Sequence, residues 1–370
     1  MKRVAFIALL SAFIIAGCGD PFSNELLESD VEFLLAAPSP EVVRVMVPQL
    51  QQADQPGTMQ MALSSEEDPC PGPYQVGNQA LWYCFTDNFT GEVNGGVLGF
   101  LELIDLIVHF PPTTREENKR IWGPWPGNAR EGNAHLDHRI VMERRIQGSV
   151  EEPETMRRIF DFSMEIRRND VAGSAWARVL YGTTHPIHGT RYGTGEVHFD
   201  VDAVKQVDPD EKGQGKLDVS YDTRPDTEET CSERVHLDIT FRDFRGGEPE
   251  DLENDPMNAT YNYDMRHDCS GEFYFIAHSN IDGEKPGMHA EETMEFMIRW
   301  NTDSEGRGDV RVSGGDLEGQ MYDEIRSSEC WDHEFKRKYY TDTWPVGYEI
   351  WGPEEGEESA CAFELYPFAE

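Results

Sequence analysis

Two pairs of histidines spaced three residues apart are the clearest candidates for metal chemistry. His135 and His138 enclose Asp137, and His185 and His188 form the second pair. Two imidazoles and a carboxylate can bind zinc or iron. On a strand, however, residues three apart point to opposite faces, so either pair needs a loop or turn to converge. We therefore interpret these histidines as loop residues and predict no metal site.

Two loops combine acidic side chains with glycine, as calcium sites do. Their residues are Asp208, Asp210 and Gly213 in the first loop and Asn301, Asp303, Glu305 and Gly306 in the second. An EF-hand loop needs a bidentate glutamate at its twelfth position, where this chain has Val219 and Val312. Both loops are therefore interpreted as turns. The acidic charge leaves calcium binding by another geometry open.

The sequence carries none of the common hydrolase motifs. It has no Gly-x-Ser-x-Gly nucleophile elbow and no His-Glu-x-x-His helix. Its 70 acidic residues make any choice of paired glycosidase carboxylates arbitrary, because the geometry that matters is spatial. We predict no enzymatic activity, no catalytic residue and no cofactor. A secreted hydrolase with an unlocated carboxylate site stays as an alternative.

The charge of the chain restricts its partners. The formal net charge is −38 at pH 7. A field this negative repels phosphate backbones, so nucleic acid is excluded as a partner. The sequence is also 38% hydrophobic and 11% aromatic, which is the composition of a chain that folds around a core.

The first eighteen residues have the layout of an export signal. Lys2 and Arg3 precede an apolar stretch, Val4–Ile15, that is too short to span a bilayer. The run Ile15-Ala16-Gly17-Cys18 resembles the lipobox of bacterial lipoproteins. The resemblance implies cleavage before Cys18 and a diacylglycerol on its thiol. We therefore expect a signal peptide at residues 1–17, lipidation of Cys18 and a membrane as the partner of the anchor.

The residue after Cys18 bears on the location. In some Gram-negative bacteria an aspartate directly after the lipidated cysteine retains the protein at the inner membrane. Gly19 stands there in this chain. We expect an envelope protein at the outer rather than the inner membrane, facing either the periplasm or the cell surface. Beyond the signal, the chain resembles the large uncharacterised envelope lipoproteins of Gram-negative bacteria.

Six further cysteines fit an exported chain. They are Cys70, Cys84, Cys231, Cys269, Cys330 and Cys361. An even number in an oxidising compartment indicates structural disulfides, with fifteen possible connectivities. Pairing of neighbours (70/84, 231/269 and 330/361) is the simplest hypothesis, because short loops close at the lowest entropic cost.

One segment predicts a buried helix near residues 97–110. It lies between Gly95-Gly96 and Pro111-Pro112, and its few polar residues fall on one stripe. Four apolar residues of this helix are candidates for lining an apolar groove: Phe100, Leu103, Ile104 and Ile107.

From about residue 135 onwards the apolar residues recur with a period of two, which predicts strands with one buried and one wet face. The segments starting at Phe160, Val235 and Met294 show this most clearly. Three Gly-x-Gly motifs, at Gly193, Gly213 and Gly306, precede such segments and are interpreted as hairpin turns. Strands with one wet face pair antiparallel.

The expected fold is a mainly β protein, a large antiparallel meander with the apolar helix near its start. A curved sheet or an open half-barrel fits this order, which resembles that of periplasmic lipid and lipoprotein carriers. We expect an N-terminal arm and linker at residues 18–75 and a β-rich domain at 76–370. That domain is compatible with two sub-domains that meet near residues 245–258.

The function expected from these observations is a non-catalytic binding or scaffolding role at the cell envelope. Its partner would be an envelope protein. A carrier that holds an acyl chain or other apolar ligand in a concave sheet is the first alternative, and the hydrolase is the second.

Overall fold

The computed structural model describes residues 26–40, 42–48, 79–127, 133–148, 157–187, 189–226, 233–245, 256–279, 290–317, 323–343 and 354–368. The helices are α1 (Glu28–Ala36), α2 (Leu81–Val108) and α3 (Val201–Val207). The strands are β1 (Thr114–Glu116), β2 (Lys119–Pro126), β3 (Leu136–Gln147), β4 (Arg157–Arg168), β5 (Ala177–Pro186), β6 (Gly193–Asp200), β7 (Gln214–Arg224), β8 (Arg234–Arg245), β9 (Met257–Met265), β10 (Gly271–Ser279), β11 (Glu292–Trp300), β12 (Gly306–Ser313), β13 (Glu324–Trp331), β14 (Arg337–Asp342) and β15 (Glu355–Gly356).

All fifteen strands of the described residues belong to one open sheet. Their order in the sheet is their order in the sequence, and the paired neighbours run antiparallel. The prediction of a mainly β antiparallel meander is therefore confirmed. The strands predicted from Phe160, Val235 and Met294 correspond to β4, β8 and β11.

The chain divides into two compact units. Unit 1 comprises Met1–Arg44, Glu92–Pro225 and Val235–Asn258, and unit 2 comprises Val45–Gly91, Asp226–Arg234 and Ala259–Glu370. Residues from the predicted N-terminal arm contribute to both cores. Phe33 and Ala36 are buried in unit 1, and Val45 and Val47 are buried in unit 2.

Unit 1 buries one face of its strands under α1. Alternate residues form the apolar face: Ile140, Met142, Phe160, Phe162, Leu180 and Val197. The ring of Phe33 on α1 meets the ring of Phe160 edge to face, with centroids 5.3 Å apart. The buried Asp30 carboxylate accepts hydrogen bonds from Arg115 and Arg120. Apolar packing and this ion pair together hold α1 on the strands.

Helix α2 is much longer than predicted. The helix begins at Leu81, so Gly95 and Gly96 lie inside it instead of opening it. Its first residues are buried against unit 2, where Trp82 and Phe85 both contact the ring of Phe296. Glycine lowers helix propensity by only about 1 kcal/mol, which apolar packing of this kind outweighs.

Four glycines lie directly opposite aromatic residues on the neighbouring strand. These pairs are Gly182 with Phe162, Gly195 with Tyr221, Gly271 with Trp300 and Gly306 with Trp331. A Cβ built on Gly306 would lie 2.2 Å from the Trp331 ring, so no side chain fits there. Each aromatic ring covers the backbone of its glycine partner.

The three Gly-x-Gly motifs do not all mark hairpin turns. Gly193 and Gly306 begin the second strands of the β5–β6 and β11–β12 hairpins, as predicted. Gly213 does not, because α3 lies between β6 and β7 and replaces a tight turn. Asp200 caps this helix by accepting the backbone N–H of Ala203 at 3.0 Å.

The helices of the described residues are short or carry charged side chains along their length. None combines the length with the apolar character that a crossing requires.

Candidate functional site

The most heavily charged buried region of unit 2 lies on β12, under residues 354–368, which we call the C-terminal strap. Arg307 has no exposed side-chain surface. Its Nε donates to Asp309 at 2.9 Å, and its Nη2 donates to the Ser328 hydroxyl and to Glu358 of the strap, each at 2.8 Å. Its Nη1 donates to the carbonyl of Phe363, also in the strap. Arg307 is thus bound by both the sheet and the strap.

Asp309 is the counter-ion at the centre of this region, which we call the covered cluster. It accepts from Arg307, from the Ser328 hydroxyl at 2.6 Å and from Arg299 at 3.1 Å. The backbone N–H of Tyr366 in the strap also donates to it, at 3.1 Å. With four donors on two oxygens, the carboxylate has full compensation for the water it has lost.

A second buried pair continues the covered cluster along the same face. Arg311 donates through Nε to Glu295 at 2.6 Å, and the Tyr274 hydroxyl donates to the other oxygen at 2.8 Å. The Arg311 guanidinium also lies 5.4 Å from the ring centroid of Phe368 in the strap. Burial, followed by the hydrogen bond to Glu295, raises the pKa of Tyr274 well above its ordinary value. The phenol therefore stays a proton donor at neutral pH.

These contacts correct the prediction of a wet face for β11. Glu295 was predicted to be solvated because it alternates with Met294 and Phe296. It is buried because the strap covers the polar face of these strands. On β12 the same covering buries Arg307 and Asp309, so both faces of that strand lie inside the protein.

One disulfide fixes the strap to the sheet. The Sγ atoms of Cys330 on β13 and Cys361 in the strap are bonded, as predicted for this pair. Cys84 and Cys269 also each take part in a disulfide. The pairings 70/84 and 231/269 and the lipidation site Cys18 involve residues outside the described part, so they stay predictions.

On the opposite face of β13, Glu329 is completely buried at the start of α2. It accepts from the backbone N–H of Trp82 at 2.6 Å and from Nε of Arg337 at 2.5 Å. Burial raises the pKa of Glu329, while Arg337 and the N–H groups of Leu81 and Trp82 oppose this increase. A carboxylate at this position complements the positive end of the helix dipole. The arrangement fixes the start of α2.

Unit 1 has the contrasting case, a polar strand face that no strap among the described residues covers. Asp161 on β4 accepts from Arg145 and from the hydroxyl of Thr183 at 3.0 Å. Arg139 pairs with Glu165 at 2.5 Å, and Arg167 pairs with Asp137 at 3.0 Å. We call this set the open face. Its pairs are partly exposed, with 54% of the Arg145 side chain and 41% of the Asp161 side chain accessible.

The first histidine pair does not converge. His135 lies 3.5 Å from Asp208, whereas His138 is buried in the core of unit 1. Burial lowers the pKa of His138 to about 4, against the opposing influence of Asp137 and of a hydrogen bond from the imidazole to the backbone carbonyl of Trp125. His138 is therefore a neutral core residue, not the loop residue predicted from the sequence. His185 is exposed, and His188 lies outside the described residues.

The two calcium-like loops are turns. The side-chain Oδ1 of Asn301 accepts from the backbone N–H groups of Asp303 and Glu305 and closes the β11–β12 turn. Asp208 accepts similarly from the N–H of Asp210. Across the part of the chain that the structure describes, three or more metal-ligating side chains nowhere come together.

The helix residues that were candidates for an apolar groove are only partly described. Ile104 and Ile107 are buried, with 1% and 7% of their surface exposed. The side chains of Phe100 and Leu103 lie outside the described part.

The sequence analysis did not predict the covered cluster. The pattern in the sequence that could have indicated it is the alternation of Arg307 and Asp309 with Gly306 and Gly308. Comparisons with known proteins add no further assignment. No family model matches the chain, and neither a curated protein nor a solved structure is similar to it.

Proposed function

We propose that this chain is a lipid-anchored protein of the bacterial cell envelope with a non-catalytic binding or scaffolding role. The observation that carries the proposal is the run from Lys2 to Cys18, a charged and apolar signal that ends in Ile-Ala-Gly-Cys. A single acyl chain gives only marginal binding, and each buried methylene contributes about 0.8 kcal/mol. The two or three chains of a lipoprotein would therefore hold it stably.

The cysteines support export. The disulfide between Cys330 and Cys361 closes a loop of 31 residues, and Cys84 and Cys269 are oxidised too. Structural disulfides persist in the periplasm and on the cell surface and are rare in the cytosol. Gly19 after the anchor favours the outer membrane.

The charge arrangement supports a role without catalysis. Among the described carboxyl groups, only Glu329 has a clearly raised pKa, which is the property expected of a general acid. Its oxygens are occupied by Arg337 and by the start of α2, and the side chain has no access to solvent. Asp309 is likewise occupied by four internal donors. These carboxylates act as structural counter-ions.

The test of the anchor is Cys18→Ser in the producing bacterium. We expect the wild-type protein to fractionate with membranes and to carry acyl chains on its N-terminal peptide by mass spectrometry. Cys18→Ser should lose the acyl chains and leave the membrane fraction. Cys18→Ala is the matched control for loss of the thiol, and unchanged fractionation of both variants would contradict the proposal.

A second experiment tests the binding role. Native mass spectrometry of the Cys18→Ser protein, with lipid extraction in parallel, should give the mass of the bare chain or a complex with an envelope protein. A stoichiometric apolar ligand would replace the scaffolding role with the carrier alternative. Hydrolysis of envelope polysaccharides by the pure protein would favour the hydrolase alternative over the scaffolding role.

A further inference from the structure

Exposed apolar side chains are concentrated at one place on unit 1. Six large apolar residues of the described part have substantial exposure. Four of these lie on or beside α1, and we call them the α1 patch: Leu26, Leu27, Val31 and Ile146. Their exposed fractions run from 37% to 56%. The remaining two, Val171 and Leu365, lie elsewhere in the chain.

The ion pairs of Glu32 join α1 to the end of β3 that carries Ile146. Glu32 on α1 pairs with Arg144 on β3 and with Arg158 on β4. Ile146 stands directly opposite Arg158 in the sheet and follows Arg144 by two residues, so all three share one face. Val31 precedes Glu32, and Leu27 lies one helical turn before Val31. Leu27 and Val31 thus share an exposed side of α1, and Glu32 joins this helix to the end of β3 that carries the exposed Ile146.

The chain length between the anchor and the α1 patch limits their separation. Seven residues, 19–25, lie between Cys18 and Leu26. A fully extended chain spans at most about 3.6 Å per residue, so Leu26 stays within roughly 30 Å of the Cys18 backbone. Lipid on Cys18 would keep the α1 patch near the bilayer surface.

The described segments around the α1 patch carry equal numbers of acidic and basic side chains, although the chain as a whole is strongly acidic. Residues 26–36, 114–120, 143–148 and 157–161 hold seven acidic and seven basic side chains, against −38 for the chain. Asp30 lies between Arg115 and Arg120, and the hydrogen bonds from these arginines lower its pKa despite the opposing effect of burial. A neutral surface avoids the repulsion that the rest of the chain would meet at anionic headgroups.

We propose that the α1 patch is a membrane-contacting surface, seated on the bilayer interface beside the lipid anchor. The inference deepens the proposed function and rests on lipidation of Cys18. Apolar side chains in a charge-neutral setting suit the headgroup boundary of a lipid bilayer. A second copy of the chain fits less well, because two strongly acidic molecules repel each other. The contact would fix which side of unit 1 faces the membrane.

The test uses the full lipidated protein in phosphatidylcholine vesicles that contain a phospholipid with a photoreactive group in its acyl chain. After illumination, the lipid adducts are located by peptide mass spectrometry. We expect at least five-fold more adduct on the peptides with Leu27 and Ile146 than on those with Val171 or Leu365. The last two are matched controls, because each has 48% of its surface exposed.

Substitution then separates the surface from the anchor. Leu27→Glu with Val31→Glu should lower the adducts on the patch at least five-fold, while the acylated protein stays on the vesicles. Val171→Glu should change neither. Equal adducts at all four sites of an acylated wild-type protein would contradict membrane contact by the α1 patch but would agree with the lipid anchor. A wild-type protein without acyl chains would overturn the proposed function itself.

Two further measurements complete the test. If the double variant fails to fold, the wild-type comparison of α1 patch and control peptides still decides, since it needs no substitution. Sedimentation of the Cys18→Ser protein should give a monomer. A dimer that Val31→Glu dissociates would overturn the membrane assignment in favour of a second copy.

Discussion

Asp309 in unit 2 and Asp161 in unit 1 both accept hydrogen bonds from an arginine and a hydroxyl, but they differ in exposure to solvent. Asp309 accepts from Arg307, two residues away, and from the Ser328 hydroxyl on the adjacent strand. Asp161 accepts from Arg145, sixteen residues away, and from the Thr183 hydroxyl on the adjacent strand. The Asp309 side chain is 1% exposed, and that of Asp161 is 41% exposed. The C-terminal strap makes the difference, because it covers the cluster of unit 2 while the open face of unit 1 stays accessible.

The alternation of polar and apolar residues therefore does not decide how much a polar strand face contributes to stability. A buried charge that loses its partner is strongly destabilising, whereas an exposed pair contributes little. A segment distant in sequence can thus bury a polar strand face, and each charge on that face then affects the free energy of unfolding. Four predictions test this difference.

The largest effect is expected for Asp309→Asn. Arg307 would stay buried without its main counter-ion, which costs about 3 to 5 kcal/mol of unfolding free energy. Urea unfolding of wild type and variant measures the change. Replacing Arg307 and Asp309 together with Met and Leu should cost less than the single change, and a larger cost would contradict the role assigned to unpaired charge.

Removal of the Cys330–Cys361 bond tests the strap itself. The pair encloses a loop of 31 residues, for which the chain-entropy model gives about 3 to 4 kcal/mol. We expect Cys330→Ala with Cys361→Ala to lower the unfolding free energy by about this amount. Proteolysis should then cut residues 354–368 faster, and hydrogen exchange on β3 and β4 should stay the same. Equal cleavage rates would show that the covered cluster alone holds the strap.

His138 makes unit 1 sensitive to acid through its core, not through its open face. Its folded pKa of about 4 lies below the ordinary value of 6.5, so the unfolded chain takes up a proton first. The contribution to stability is complete above about pH 6.5 and is lost as the pH falls towards 4, by about 3 kcal/mol. His138→Leu should flatten this dependence in urea unfolding at several pH values. An unchanged slope would contradict the neutral state of His138.

The smallest effect is expected for Asp161→Asn, the counterpart of the change at Asp309. Exposed pairs contribute about 0 to 1 kcal/mol, and salt screens them further. The hydrogen bonds from Arg145 and Thr183 lower the pKa of Asp161 despite the opposing effect of burial. Its contribution is therefore present above the ordinary pKa and lost as the pH falls through the folded value. A loss as large as that for Asp309→Asn would remove the distinction between the two faces.

The sequence allows the class of fold and several strands to be predicted, because side-chain alternation is a local property. β4, β8 and β11 follow from it directly. The start of α2 does not, since the carboxylate that fixes it belongs to Glu329, which lies 247 residues from Trp82. Local glycines at positions 95 and 96 therefore indicated the wrong boundary.

The covered cluster could not be predicted for a related reason. Its charges have the same spacing along their strands as those of the open face, and the strap that buries them follows β14 in the chain. The pair Cys330 and Cys361 is the one sequence feature that indicates where the strap attaches. Which side of a strand is solvated depends on such long-range contacts.

The sequential order of the strands has a consequence for how the protein forms. Each strand's neighbours in the sheet are also its neighbours along the chain, from β1 to β15. If the chain emerges gradually from its N-terminus, each new strand finds its pairing partner already formed. Growth could then advance hairpin by hairpin, with short loops to close and no early strand waiting for a late one. Synthesis and assembly would share one direction, and residues 354–368 would arrive after the strands that they cover.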